Sequence, residues 1–450
     1  MRRTALAVRM SRSAAVMATV LASAACTGGK NASTDSSTGN TTTANTITPA
    51  AEPSSYLYVW AGDSARKASD FLAVIDASPA SPTYGHVVGA TATGTAGTHP
   101  HHTEVSIGDN DHLLANGYGA GTSWLYDLTE ARAPKVITSF GDLAGMSRPH
   151  TYVRLPNANV LATFQYAGAS TASGEQHMHG GAAAKPSKAT VHTTGGLVEM
   201  DERGTLVRSG SAVDTTISDR LIYPYAVLPL PAHDRALSTT TDMDESNTKN
   251  TATWIQLWRL SDLKLLRSIA LPAGPRGNEN QWTGEMHPLA DGKSALVHTF
   301  MCGLYLVRGL DGDAPTAKFV HAFEGKSCGV PVLAGKYWLQ TVPDAHAVLS
   351  MDVSDPEHPR EVSRVSFGSD EAPHWLVMEP SGKRLVMNSG GSASNRVFIV
   401  NFDAATGALA IDEKFRDVNA TRAGVRFSAR TFPQGFTGTA VPHGSVFSRR

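Results

Sequence analysis

The fold is decided by the stretch Pro149-His150-Thr151-Tyr152-Val153-Arg154-Leu155-Pro156-Asn157-Ala158-Asn159-Val160-Leu161-Ala162. A Pro-His step opens a short strand-like run, a turn former follows, and a second apolar run begins. The same order recurs at Pro373-His374, and the run that opens at His102 repeats it without the proline directly before it. Pro442-His443 opens a further run near the C-terminus. One histidine at the same place in a repeated unit predicts a shared site.

The repeat predicts an all-β fold, because several short strands in each unit of roughly 40 to 50 residues are typical of a β-propeller. We count seven units, although a few shifted strand boundaries would also allow six or eight. The inner strands are expected to begin near these residues: His102, His150, Tyr225, Glu285, Cys328, His374 and Pro442. The last blade is completed by Tyr56 to Trp60, so the prediction is a seven-bladed β-propeller with N/C-terminal strand closure, which leaves no long unpaired edge.

The N-terminal segment predicts export. Residues 1–25 combine basic residues with the apolar stretch Ala14 to Leu21 and end in small residues before Cys26, as a signal peptide does. Small residues before a cysteine resemble a bacterial lipoprotein cleavage box, although Ser23 stands where that pattern prefers leucine. Lipidation at Cys26 would anchor the chain, and the alternative is an ordinary secretory peptide cut after Ala25. Residues 26–53, rich in Ser and Thr, read as a flexible linker, and residues 54–450 as the propeller.

Composition narrows the function classes. The formal net charge is −1, and a basic stripe is missing from the sequence, which argues against nucleic acid as a partner. After residue 26 the sequence has two cysteines, Cys302 and Cys328. In an oxidising compartment the default for such a pair is a disulfide, and a thiolate pair that binds metal is the alternative. The expected location is therefore periplasmic or at the cell surface, with membrane contact through the lipid anchor alone.

Several short motifs resemble the selenium-binding protein family, which includes the methanethiol oxidases. The motifs are Phe71 to Asp76 with Ser81-Pro82-Thr83-Tyr84, His101-His102, Ala133-Pro134-Lys135 with Pro149-His150-Thr151, Glu285-Met286, Ser354-Asp355-Pro356 and Gly382-Lys383-Arg384-Leu385. The likeness is distant and spans nearly the whole predicted domain. It implies a seven-bladed propeller and, as in the bacterial enzymes, copper-dependent oxidation of methanethiol to formaldehyde, hydrogen sulfide and peroxide.

The resemblance carries over to particular residues. The paired histidines of the family match His101 and His102, its His-Thr motif begins at His150, and its C-terminal histidine matches His443. The segment that carries a cysteine in the family is here Thr103-Glu104-Val105-Ser106-Ile107, so selenium binding and thiol specificity are in doubt. His374 is a further departure, because the better-known members have another polar residue there.

The geometry of a propeller predicts which of these side chains lie close together. Inner strands of a propeller converge on a central channel, so equivalent residues of different blades face one another. Three or four imidazoles there suit copper, iron or zinc, and copper has the highest intrinsic affinity. Glu285 and Tyr225, at the same point of two other blades, are the candidates for catalytic proton transfer. The alternative is that these polar side chains satisfy one another and channel water.

We therefore predict an exported copper-type oxidoreductase that acts on a small organic substrate, with sulfur compounds included. The rival is a non-catalytic copper-binding or scaffold lipoprotein. A second group, His177, His179 and His192, falls in an insertion rich in Gly, Ala and Ser from Ala167 to Thr194, which we expect to be a mobile loop or else a copper-capturing one. The remaining histidines, such as His298 and His358, receive no role.

Overall fold

Strands form wherever apolar runs are bounded by turn residues. The computed structural model describes residues 55–169, 192–217, 222–244, 251–390 and 394–449. The predicted signal peptide, the whole predicted linker and the interior of the insertion lie outside the described residues. Second and third strands are buried along almost their whole length, as in Leu113 to Gly117, because both faces of a blade pack against neighbouring blades. Outermost strands are more exposed, and Lys135–Phe140 contains no fully buried residue.

The described chain contains 31 strands. In chain order they are β1 (Tyr56–Asp63), β2 (Ser69–Asp76), β3 (Val87–Ala96), β4 (Pro100–Thr103), β5 (His112–Gly117), β6 (Thr122–Asp127), β7 (Lys135–Phe140), β8 (Met146–Arg154), β9 (Val160–Ala167), β10 (Thr193–Met200), β11 (Leu206–Ser211), β12 (Pro224–Leu230), β13 (Arg235–Thr240), β14 (Trp254–Arg259), β15 (Lys264–Ala270), β16 (Thr283–Pro288), β17 (Ser294–Thr299), β18 (Gly303–Arg308), β19 (Thr316–Ala322), β20 (Val332–Ala334), β21 (Tyr337–Val342), β22 (Ala347–Asp352), β23 (Arg360–Ser366), β24 (Pro373–Met378), β25 (Arg384–Ser389), β26 (Arg396–Phe402), β27 (Leu409–Ile411), β28 (Val425–Arg426), β29 (Arg430–Thr431), β30 (Thr437–Gly438) and β31 (Ala440–Phe447). Three single turns of 3-10 helix interrupt them, at Tyr118–Ala120, Pro231–His233 and Pro343–Ala345.

Twenty-eight of these strands build seven antiparallel blades, while β28 pairs with β26 and β29 and β30 form a separate two-stranded sheet. From the inner strand outward they are β4 to β7, β8 to β11, β12 to β15, β16 to β19, β20 to β23, β24 to β27, and β31-β1-β2-β3. In the last blade β31 pairs with β1, from Leu57 opposite Phe447 to Asp63 opposite Ala440. The predicted all-β seven-bladed propeller and its closure by both chain ends are confirmed.

The core lies between the blades. The largest apolar cluster joins β1 and β2 of the closing blade to β24 to β26 of the sixth blade, and it includes Phe447. Because each blade packs on two neighbours, closure by β31 completes two interfaces at once. Among the described residues, no helix combines the length and the apolar character that crossing a membrane requires.

The fifth blade departs from the repeat. Its inner strand β20 has three residues and begins at Val332, four residues after Cys328, which lies in the preceding connection. Cys302 occupies the β17–β18 turn, and the two cysteines form a disulfide with their Cα atoms 5.1 Å apart. The disulfide therefore ties the fourth blade to the entry of the fifth, where the inner strand is short.

Candidate metal centre at the channel

An extra residue in six of the seven inner strands creates the site. In six blades the pairing of the inner strand with its neighbour shifts by one residue, and the shift brackets the predicted site residue each time. The brackets are Pro100/Thr103, Pro149/Tyr152, Pro224/Val227, Thr283/Met286, Pro373/Trp375 and Pro442/Ser445. Such a bulge bends the strand and re-aims one side chain. Proline opens five of the six brackets because it has no N–H to lose from the ladder.

Polar side chains of the second strands hold the bulges in place. Asn116 of β5 accepts a hydrogen bond from the His102 N–H at 2.7 Å, and its amide donates to the carbonyls of Pro149 (2.9 Å) and His150 (2.8 Å). Thr163 of β9 repeats the arrangement one blade further on: it accepts from Thr151 N–H at 3.1 Å and donates to the Tyr225 carbonyl at 2.7 Å. These contacts fix the bulges of the first three blades to one another.

Three imidazoles meet inside this frame. His101, His102 and His150 are buried, and one ligand nitrogen of each lies within 4.8 Å of the others. The His102 and His150 rings are 4.2 Å apart, and those of His101 and His150 are 5.0 Å apart, between centroids. Metal–nitrogen bonds of roughly 2.0–2.1 Å hold two ligands at most about 4.2 Å apart, so small side-chain rotations would complete the coordination.

The other two predicted ligands extend the group on one side. The His443 ring stacks on His101 at 4.2 Å, and the His374 ring lies 4.9 Å from His443. We call these five residues the histidine cluster: His101, His102, His150, His374 and His443. The three imidazoles whose nitrogens lie within 4.8 Å come from the first two blades. His374 lies next to His443.

Hydrogen bonding assigns the proton on one ligand. The Nδ1 atom of His150 lies 2.9 Å from the Tyr225 carbonyl oxygen, which can only accept. We therefore assign the proton to Nδ1, so the lone pair of Nε2 is the ligand atom. This is the outer contact expected of a metal-binding histidine, because it fixes both tautomer and ring orientation.

Tyr225 and Glu285 occupy the equivalent bulge positions in the third and fourth blades. The Tyr225 hydroxyl lies 3.4 Å from His102 Nε2, and its ring lies 4.1 Å from His150. Burial, reinforced by the charge of Glu285, raises the pKa of Tyr225 well above its ordinary value. Glu285 is half-buried, and its carboxylate has no hydrogen-bond or ion-pair partner among the described residues. Burial raises the pKa of Glu285 to about 7.

Two histidines near Glu285 were not anticipated. The His298 Nδ1 atom lies 3.1 Å from the Glu285 carbonyl oxygen, and burial lowers the pKa of His298 to about 4. Burial also lowers the pKa of His287 to about 4, although its Nε2 lies 3.2 Å from the Pro331 carbonyl oxygen. The fourth blade thus contributes neutral imidazoles and a carboxyl group that titrates near neutral pH.

Aromatic residues wall the cluster. Trp375 lies 4.8 Å from His102 and donates its indole N–H to the Ser445 carbonyl, while Tyr118 lies 5.8 Å from both His101 and His150. Sequence analysis missed these residues, together with Asn116 and Thr163. The sequence signal for the last two is a polar residue that directly follows three apolar residues of a second strand.

The structure describes only the two ends of the predicted insertion. His177 and His179 lie outside the described residues. His192, near the C-terminal end of the insertion, stacks on Tyr166 at 3.8 Å, and its Nε2 lies 3.1 Å from Asp244. These contacts place His192 next to β9 of the second blade.

Comparison with known proteins agrees with this architecture. No family model matches the chain. Methanethiol oxidase of a Hyphomicrobium species is 25% identical over 360 residues, which cover 73% of this chain and 74% of the enzyme. A hypothetical selenium-binding protein from Sulfolobus tokodaii superposes with a TM-score of 0.65 at 16% identity and covers 89% of this chain and 95% of its own.

A propeller of another kind resembles the chain in fold alone. The periplasmic gluconolactonase of Pseudomonas aeruginosa gives a TM-score of 0.57 at 13% identity, over 88% of this chain and 99% of that one. The likeness to methanethiol oxidase, by contrast, is also detectable in the sequence, at 25% identity. These findings support the chain as a distant member of the selenium-binding protein and methanethiol oxidase family.

Proposed function

We propose that this protein is an exported, metal-dependent oxidoreductase that acts on a small organic substrate at the histidine cluster, with copper as its metal. The observation that carries the proposal is the approach of three buried imidazole nitrogens, from His101, His102 and His150, to within 4.8 Å of one another. Buried imidazoles at this spacing are the donor set that copper, zinc and iron prefer. Likeness to a methanethiol oxidase adds support for a redox metal over a purely structural one.

The donor set fits a metal ion. His150 presents Nε2 as its ligand atom, because Nδ1 donates to the Tyr225 carbonyl. A cluster of neutral nitrogen donors favours copper over the hard cations, and iron and zinc remain the alternatives. His443, stacked on His101, is the natural fourth ligand, while His374 supports His443.

The residues of the chain around the cluster have separate tasks. Copper, when bound, would supply one-electron redox chemistry and a binding position for substrate or dioxygen. Trp375 and Tyr118 exclude water from the cluster and so strengthen electrostatic interactions inside it. Tyr225, 3.4 Å from His102, orients that ligand. Glu285, with a pKa of about 7, holds or releases a proton at neutral pH, as a general acid or base must.

Export and lipid anchoring are part of the proposal. The N-terminal pattern through Cys26 supports cleavage and lipidation, with attachment in the periplasm or at the cell surface. The Cys302–Cys328 disulfide supports an oxidising compartment. Labelling of cells with a radioactive fatty acid tests the anchor, because a Cys26→Ser variant should lose the label and leave the membrane fraction.

Metal analysis tests the site itself. Protein purified from the periplasm should contain one copper ion per chain, and His150→Ala should lose it. His358→Ala is the matched control, since that imidazole is exposed and pairs with Asp355. A wild-type protein that binds no copper, iron or zinc under conditions that load the control metalloproteins would refute the proposal.

The rival is a copper-binding lipoprotein without catalysis. The specific observation in its favour is Thr103 to Ile107, where the related family has a cysteine and this chain has none. Oxygen uptake by copper-loaded protein with small thiols, alcohols and amines separates the two functions. Uptake that depends on His102 supports the oxidoreductase, whereas full copper occupancy with no uptake on any of them supports the rival.

A further inference from the structure

A series of contacting aromatic side chains extends from the histidine cluster toward the surface. Tyr118 is fully buried, and its ring lies 5.8 Å from the rings of both His101 and His150. Its hydroxyl lies 2.9 Å from Gln165 Oε1 and 3.2 Å from the Tyr166 hydroxyl. Tyr118 thus connects the proposed metal ligands to a second phenol by van der Waals and hydrogen-bond contacts.

The second phenol has a proton acceptor and an outlet. The buried Tyr166 hydroxyl donates to Asp242 Oδ1 at 2.9 Å, and its ring is stacked on His192 with centroids 3.8 Å apart and planes 14° apart. His192 is partly exposed, and its Nε2 lies 3.1 Å from Asp244. The contacts therefore run without a break from the cluster to a side chain that solvent reaches.

Electron transfer through these aromatic side chains is limited by the charge that it leaves behind. Burial raises the pKa of Tyr166 well above its ordinary value, so the phenol is neutral. Removing an electron from a buried neutral phenol leaves a positive charge that is costly in a low dielectric unless the proton leaves too. Asp242, at hydrogen-bond distance from the hydroxyl, is placed to take that proton.

We propose that Tyr118 and Tyr166 form a path that delivers electrons to the metal centre when an oxidant reacts there, with Asp242 as proton acceptor and His192 as the entry from solvent. The inference rests on the metal site of the proposed function. Its role is protective: an oxidising equivalent produced at the cluster is drawn to Tyr166 before it damages the ligand imidazoles.

The step balances with hydrogen peroxide as the oxidant. Peroxide takes up two electrons and two protons from solvent and gives two water molecules. A bound metal ion in its reduced state would supply one electron, and Tyr166 would supply the other through Tyr118. Tyr166 becomes a neutral phenoxyl radical, and its hydroxyl proton moves to the Asp242 carboxylate. A soluble one-electron reductant such as ascorbate, acting at His192, restores the phenol.

The experiment uses copper-loaded, reduced full-length protein, whose metal content is measured in the same sample. After mixing with hydrogen peroxide and rapid freezing, electron paramagnetic resonance should detect a tyrosyl radical in the wild type. Tyr166→Phe keeps the ring but should lose this signal. Tyr305→Phe is the control, because that buried phenol donates to the Pro272 carbonyl in another blade, and it should keep the signal.

A second readout separates the path from a structural role of Tyr166. Peptide mass spectrometry after peroxide exposure should find more oxidised His101, His102 and His150 in Tyr166→Phe than in Tyr305→Phe. Asp242→Asn keeps an acceptor oxygen but cannot take a proton at neutral pH, and it should also lose the radical. Full copper occupancy with no wild-type radical, or equal histidine oxidation in both tyrosine variants, overturns the path and leaves the metal site intact. Absence of bound metal overturns both proposals.

Discussion

Replacement of Glu285 by glutamine should make the folded protein more stable at alkaline pH. The pKa of Glu285 is about 7 in the folded protein, against 4.5 for a solvated glutamate. Between these two values the folded state holds a proton that the unfolded state has lost, so stability falls as pH rises. A difference of about 2.5 pKa units corresponds to roughly 3 kcal/mol. Glutamine keeps the size and polarity of the side chain and removes this loss.

The wild-type pH profile alone would not reveal the effect. His287 and His298 have pKa values of about 4 in the folded protein, against 6.5 for solvated imidazole. Between pH 4 and 6.5 the unfolded state therefore binds protons that the folded state excludes, and stability rises with pH. These histidine contributions oppose that of Glu285 over much of the same range. The difference between Glu285→Gln and wild type cancels them and isolates the carboxyl group.

Equilibrium urea unfolding with a chelator present measures the difference. Near pH 4.5 the two proteins should have similar free energies of unfolding, and near pH 8 the glutamine variant should be more stable by about 3 kcal/mol. Glu413→Gln, at an exposed position, is the control and should shift stability little at either pH. A glutamine variant less stable than wild type near pH 8 would refute the reasoning, because the carboxylate would then have a stabilising partner.

Three further experiments test the propeller fold and the substrate. Ending the chain at Val441 removes most of β31, and we expect lost cooperativity of thermal unfolding and aggregation by light scattering; unfolding like the full-length protein would contradict the closure. Cys302→Ser removes the disulfide across a sequence separation of 26 residues, which should lower the free energy of urea unfolding by about 3 kcal/mol relative to the disulfide-bonded wild type. Copper-loaded protein should oxidise methanethiol weakly or not at all, because Thr103 to Ile107 supply no thiolate; robust hydrogen sulfide release would overturn that expectation.

The positions of the cluster histidines could be predicted from the sequence, because the Pro-His pattern has a structural cause. Proline before the site residue marks the bulge at Pro149 and Pro373, where a ladder hydrogen bond is already lost. A bulge in the same strand of successive blades must place its residues around one channel. The closure was predictable because the three N-terminal strands lacked an inner strand and the C-terminal strand lacked a blade.

Other features depend on quantities that a sequence does not contain. The raised pKa of Glu285 and the lowered pKa of His298 both come from burial, which is fixed by neighbouring blades rather than by the local strand. Cys328 was expected to start an inner strand, but it lies four residues before one, because Gly329 and Pro331 leave the connection irregular. The bond from Asn116 to the next blade likewise joins residues 33 or more positions apart.

The segment after the paired histidines explains why a protein thiol has no place in this site. The buried Glu104 carboxylate accepts a hydrogen bond from Arg154 Nε at 2.7 Å. This ion pair joins the segment to the second blade. Val105 next to it is 60% exposed and lies outside the packed interior. The two cysteines among the described residues are buried in a disulfide between other blades. Under the proposed function, a sulfur substrate would therefore react at a metal held by the imidazoles, and the chain would supply position and proton transfer rather than a nucleophile.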